Sequence, residues 1–181
     1  MNWSLKYLDT YYSNSRKKKL ITLSNKDLVF LKNKSKTSNR NRSRICTHAN
    51  INQSVQEMFI FHKKNTYVRP HKHLKNKESF QVLYGSVDVV LFNKNGKVVE
   101  VINVSDQKSN KVFYYKLSND IFHTQIFKKD TVFFEVTKGP FNKQHTVFAN
   151  WAPIEKNKSE VKEYIKTLKK NIRKFNFSYK N

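Results

Sequence analysis

A chain of 181 residues with 38% hydrophobic and 14% aromatic side chains can fill one packed domain and is too polar for a membrane protein. No run approaches the ~18 consecutive apolar residues that span a bilayer, and the first residues lack the apolar core of a secretory signal. The single cysteine, Cys46, excludes an intrachain disulfide and suits a reducing, cytoplasmic location.

The net charge of +23 is uneven along the chain. Residues 1–45 carry 12 basic and 2 acidic groups, residues 155–181 carry 9 and 3, and the middle carries 15 and 8. Such a balance attracts nucleic acid or anionic lipid in general. Runs such as Arg16-Lys17-Lys18-Lys19 lack interleaved aromatics on which bases would stack. A solvated basic surface is therefore the preferred reading, and nucleic acid is not favoured as a partner.

In chain order, residues 1–19 read as an irregular extension. Ser24 with Asp27 in the following turn marks a helix start, and Leu28 and Leu31 form a short packing stripe. The Ser/Asn/Arg-rich stretch 35–43 ends it as a linker. From residue 44 short runs rich in β-branched and aromatic residues take over: 45–48, 57–61, 67–73, 80–84, 87–92, 98–104, 111–117, 122–127 and 131–137. Asn95-Gly96 between two of them is a hairpin signal, since both residues tolerate positive φ. Strands at spacings of about 8–12 residues predict a sandwich or barrel. Val161, Tyr164, Ile165, Leu168 and Ile172 then follow a helical stripe with lysines on the other faces, which predicts an amphipathic helix folded back on the barrel. The same stripe could instead meet a membrane surface. The predicted organisation is an N-terminal basic extension with one helix (1–43), a β-barrel (44–154), and a C-terminal helix and tail (155–181).

The chemistry concentrates in residues 67–85. His71 and His73 stand two apart, Glu78 follows after five residues, and Gly85 closes an apolar run. In a strand, residues i and i+2 share a face about 6–7 Å apart, so the two imidazoles can share a metal ion and a carboxylate after a short turn can join them. By the same parity Tyr67 and Arg69 are predicted to point into the cavity with His71. Arg69 there either holds an anionic substrate group or pairs with a buried acid such as Glu57 or Glu135. Glu135 lies within the apolar run Val132-Phe133-Phe134-Glu135-Val136, where burial would raise its pKa and suit it to proton transfer; a structural salt bridge is the alternative. Cys46 is read as a small core residue, and His48, His62 and His145 as structural or surface groups.

The pattern His71-x-His73-x4-Glu78-x6-Gly85 matches the first cupin motif in every spacing. The chain thus resembles the cupin superfamily, which implies a mainly-β fold, a single small jelly-roll barrel, with one divalent metal on a His, His, Glu, His set. The resemblance implies His71, His73, Glu78 and His123 as ligands, although the Pro-x-Gly and Asn of the usual second motif are absent around His123. Further stretches run in order: Arg42-Ser43-Arg44-Ile45-Cys46-Thr47-His48, Glu57-Met58-Phe59-Ile60, Phe113-Tyr114-Tyr115, Glu135-Val136-Thr137-Lys138-Gly139-Pro140-Phe141 and Thr146-Val147-Phe148-Ala149-Asn150-Trp151-Ala152-Pro153. Over roughly residues 20–155 they look like the WbuC family of cupin-fold proteins from O-antigen and other surface-polysaccharide gene clusters. Gln56 stands where that family is expected to carry a His.

The resemblance implies a role in polysaccharide biosynthesis, a homodimer, and iron, manganese, zinc or nickel as the metal, which the ligand set does not separate. The expected partner is a small anionic sugar such as a nucleotide sugar or sugar phosphate, isomerised or epimerised with Glu135 and Tyr67 as catalytic candidates. Arg69, Arg44, Tyr115 and Phe80 are the substrate-binding candidates. An Fe(II)-dependent oxygenase and a non-catalytic sugar- or metal-binding module are the alternatives.

Overall fold

The computed structural model describes residues 3–13, 20–75, 77–117 and 120–178. Twelve strands and two helices follow in order: β1 (Trp3–Tyr7), β2 (Thr10–Ser13), α1 (Asn25–Thr37), β3 (Arg42–Cys46), β4 (Val55–His62), β5 (His71–His73), β6 (Glu78–Tyr84), β7 (Ser86–Phe92), β8 (Val98–Ser105), β9 (Tyr114–Leu117), β10 (Phe122–Phe127), β11 (Thr131–Lys138), β12 (Thr146–Phe148) and α2 (Lys158–Ser178). The strands form a seven-stranded sheet, β1-β2-β3-β4-β11-β6-β9, and a five-stranded sheet, β12-β5-β10-β7-β8. All pairs are antiparallel except β2 with β3. The two sheets enclose one core, giving a mainly-β jelly roll with a helix from each end of the chain packed on its outside.

The alternation of side chains explains the layering. On β7, Val87, Val89 and Leu91 point between the sheets, where they meet Met58, Ile60, Phe80, Val82, Phe127 and Phe133. Val90 and Phe92 point out, and with Ile126 they receive Leu168 and Ile172 of α2. The expected stripe of α2 is therefore spent on the barrel, and no helix among the described residues is long and apolar enough to cross a membrane. On the other side, Ile45, Phe61 and Val132 face outward under Leu31 of α1.

Two tight turns depend on glycine. Gly85, between β6 and β7, has φ +98°, and a Cβ there would lie 2.5 Å from the Asp130 carbonyl oxygen. Gly96 has φ +82° in the β7–β8 hairpin, where the Asn93 side chain accepts from the Asn95 and Lys97 amides. Both positions exclude a side chain on conformation and space alike.

The first residues correct the expectation of an irregular extension. Trp3–Tyr7 and Thr10–Ser13 form a hairpin that continues the large sheet through β3. Its anchors are long-range: the Trp3 indole donates to Asp27 Oδ1 at 2.7 Å, and Tyr11 packs edge-on against Phe30. Asp27 also accepts from the Ser24 amide at 2.7 Å, completing the expected helix start. Burial alone would raise the Asp27 carboxyl, but the donors Trp3 and Ser24 outweigh it and hold it below its ordinary range. The Arg16–Lys19 run lies outside the described residues.

Candidate metal centre

Four side chains converge inside one end of the barrel. His71 and His123 are directly opposed across the β5–β10 pair, and His73 lies two residues on, facing the same way. Glu78 comes from the first residue of β6 in the other sheet. One ligand atom from each of the four lies within 4.8 Å of the others. His123 is fully buried and Glu78 is 4% exposed, whereas His71 and His73 are half-buried and form the open side of the cluster.

Hydrogen bonds fix which nitrogen of each ring faces the centre. His71 Nδ1 is 2.9 Å from the Arg69 carbonyl oxygen and His123 Nδ1 is 3.1 Å from the Ile121 carbonyl oxygen. A carbonyl only accepts, so both Nδ1 atoms carry the proton and both Nε2 lone pairs are free. His73 Nδ1 lies 3.4 Å from the Thr146 hydroxyl, on the adjacent β12. The Nε2 atoms of His73 and His123 are buried with no hydrogen-bond partner among the described residues. Leaving buried acceptors unpaired costs about 1–3 kcal/mol each, a cost that a shared cation removes.

Glu78 sits in ion-pair range of two rings, 3.3 Å from His73 Nε2 and 3.9 Å from His123 Nε2, without hydrogen-bond geometry to either. Its other oxygen accepts from the Tyr115 hydroxyl at 2.8 Å, and Tyr115 in turn accepts from Gln125 at 3.2 Å. Burial alone would raise the Glu78 carboxyl, but the adjacent imidazoles, His73 foremost, lower it to about 2. Burial, with the charges of His123 and His73, lowers His71 to about 3, so its ring is neutral at physiological pH. Neutral imidazoles and an ionised carboxylate are the states that bind a divalent ion, and the donor set fits one.

The facing sheet supplies a second polar group. On β11 and β3, Glu135 and Arg44 share the inward parity of Phe133 and Cys46 and keep partial exposure. Burial, with the Glu78 charge adding and Arg44 opposing, raises the Glu135 carboxyl to about 8. Cys46, 2% exposed, is pushed up to about 11 by burial, as befits an inert core thiol.

Several expected pocket residues stand elsewhere. β5 contains only His71–His73, because Pro70 has no amide to offer and ends the strand. The parity that would carry Tyr67 and Arg69 inward is therefore lost. The Tyr67 hydroxyl donates to the Pro153 carbonyl at 2.8 Å and its ring meets Tyr164 of α2. Arg69 donates to the Ala149 carbonyl at 2.8 Å and stacks over Phe148, lining an open surface pocket of about 430 Å³ with Trp151, Ile154 and Glu160. It pairs with neither Glu57 nor Glu135. Phe80 is fully buried between Tyr115 and Phe133, stacked at 4.9 and 4.2 Å, so it has no surface to offer a substrate. Tyr115 holds Glu78 rather than the cavity mouth. Gln125 escaped the sequence reading, although its i+2 relation to His123 placed it on the same inward face.

A sequence-family model described as "Domain of unknown function (DUF6016)" matches residues 23–104, which include His71, His73 and Glu78. No curated protein matches. Among solved structures, the chain is similar to KdgF from Halomonas sp., at 13% identity and a TM-score of 0.44 over 57% of this chain and 82% of that one. It is also similar to the salicylate 1,2-dioxygenase from Pseudoaminobacter salicylatoxidans (14%, TM-score 0.43, 55% of this chain) and the oxalate decarboxylase from Bacillus subtilis (19%, TM-score 0.43, 54% of this chain). The chain spans about a quarter of each of the latter two, 25% and 24%.

Proposed function

We propose that this protein is a metal-dependent enzyme that isomerises or epimerises a small anionic sugar at a carbon beside a carbonyl. The observation that carries this reading is the convergence of three imidazoles and Glu78 on one point, with a second carboxyl, Glu135, raised towards neutrality on the facing sheet. When bound, a divalent ion supplies Lewis-acid polarisation of a carbonyl or a pair of hydroxyls. Glu135 takes the proton from the carbon beside that carbonyl and returns it to the neighbouring carbon or the opposite face, so the reaction is redox-neutral. A carboxyl titrating near 8 is matched to both directions of that transfer at physiological pH. Tyr115 and Gln125 keep Glu78 oriented while the proton moves. The ordered match to WbuC-family stretches supports placing the reaction in O-antigen or other surface-polysaccharide assembly. The same resemblance implies a homodimer, and Leu83 and Tyr114, exposed on β6 and β9, offer it an apolar surface.

The test is proton exchange. Zinc- or manganese-loaded protein is incubated in deuterium oxide with a panel of nucleotide sugars, sugar phosphates and sugar acids. The expected result is deuterium entering beside the carbonyl of one of them, reduced at least ~100-fold in Glu135→Gln. No exchange with any substrate, or exchange indifferent to Glu135→Gln, sinks the proposal; oxygen uptake with Fe(II) in its place identifies an oxygenase.

A further inference from the structure

We infer that the barrel contains a receptor for a carboxylate, formed by the Arg44 guanidinium with Glu135 beside it, and that the substrate of the metal centre is therefore a sugar acid or similar small hydroxy acid. The inference rests on the metal-centre reading above and narrows it.

Arg40, Arg42, Arg44 and Arg69 each have an Nε buried without a hydrogen-bond partner, but three of them have a carboxylate or a carbonyl oxygen within reach. Arg40 and Arg42 each reach both Asp9 and Glu155 within 3.4 to 3.7 Å. Arg69 rests on a carbonyl and an aromatic ring. Arg44 differs. It enters the barrel from β3, opposite Ile60, and its Nη1 finds only the Met58 sulfur at 3.8 Å, a weak acceptor. Its Nε is buried with no acceptor, and among the described residues no carboxylate lies within 4.0 Å of it. A guanidinium never sheds its charge, and this one is half-buried with no anion paired to it. A ligand carboxylate would supply the missing partner.

Position points the same way. Arg44 shares the inward parity of Cys46 on β3 and pairs with the core residue Ile60 on β4, so its side chain faces the interior. In the strand register Glu135, opposite Met58 and Phe80, stands one inward row from the Arg44–Ile60–Phe133 row and one from the Thr137–Glu78 row, so it lies between Arg44 and the metal cluster. A ligand spanning the two thus runs past the carboxyl proposed to move its proton.

Charge and shape select the anion. The planar fork of one arginine matches one carboxylate bidentately. A phosphate would bring a second negative charge towards Glu135 and Glu78 with no further cation to meet it, since no lysine is among the buried residues and the neighbouring His62 is held neutral by burial.

The experiment measures binding, not turnover. Zinc content of the full-length protein is determined first. Glycerate, threonate and gluconate are then titrated calorimetrically into the zinc form, each beside the alcohol of the same length, glycerol, threitol and sorbitol, and beside glycerol 3-phosphate. The expected result is that at least one acid binds at least ~10-fold tighter than its alcohol and than the phosphate. Arg44→Met abolishes that preference and Arg44→Lys, which keeps the charge without the fork, retains part of it, while both variants keep their zinc. Acids binding no tighter than alcohols, a phosphate preferred over every acid, or a preference surviving Arg44→Met overturns the inference. A wild type that takes up no zinc overturns the metal-centre reading itself, and is recognised before any acid is added.

Discussion

Each imidazole of the centre has its Nδ1 held by the fold, His71 and His123 on carbonyls and His73 beside Thr146, and Glu78 has one oxygen held by Tyr115. Such outer contacts set ring orientation and ligand basicity. Tyr115→Phe removes the 2.8 Å bond to Glu78 while keeping the stack on Phe80. Its metal affinity, measured by competition with a chelator, is expected to fall about 10–100-fold with the fold intact; an unchanged affinity would show that Tyr115 does not orient Glu78. At this scale the sequence was readable where spacing is short. Two histidines at i and i+2 share a face in any strand, and Glu78 follows within one turn. It misled where a strand was assumed to run through Pro70, which is why Tyr67 and Arg69 were expected inside. That no carboxylate among the described residues forms an ion pair with Arg44 depends on how β3, β4 and β11 align, and no local pattern carries that.

The elements divide by how far their contacts reach. The β7–β8 hairpin and α2 were legible because Asn95-Gly96 and the stripe through Val161, Leu168 and Ile172 are local signals. The β1–β2 hairpin was not, because it is held by Trp3 on Asp27 and Tyr11 on Phe30, contacts between segments with no shared pattern. β12 was missed for the same reason: three residues suffice when they pair with β5 behind the cluster. The helix α2 seals the outer face of the small sheet, and Leu168 is 3% exposed between β7 and β10 residues. Leu168→Ala is expected to cost about 2–4 kcal/mol in urea unfolding. Metal content is expected to stay at the wild-type level, because the cavity left lies on the opposite face of the sheet from His71 and His123. Loss of metal from a folded Leu168→Ala protein would mean that α2 shapes the site.

Over the whole molecule, the ends of the chain are joined by charge: Asp9 of the β1–β2 turn and Glu155 before α2 share Arg40 and Arg42. The interior sets the response to pH of the metal-free protein. His48, His62, His71 and His123 are all depressed, chiefly by burial, so the unfolded chain binds protons that the folded one does not. Their stability is fully present above about pH 6.5 and is lost as pH falls below it. Glu135 acts oppositely: raised to about 8, its contribution is present below about pH 4.5 and lost as pH rises through 8. Four groups outweigh one on the acid side, so the metal-free protein is expected to melt highest near pH 6.5. Glu135→Gln is expected to remove the decline from there to pH 8, on the order of 1 kcal/mol given the partial exposure of the group. A wild-type melting temperature that climbs steadily to pH 8 would contradict this assignment. The central claim is that His71, His73, Glu78 and His123 hold one divalent ion, and elemental analysis of purified wild type beside His71→Ala tests it most directly. About one equivalent of iron, manganese, zinc or nickel per chain, lost in the folded variant, is the result expected; a metal-free wild type that takes up none of the four ions, or a variant with the same content, would contradict it.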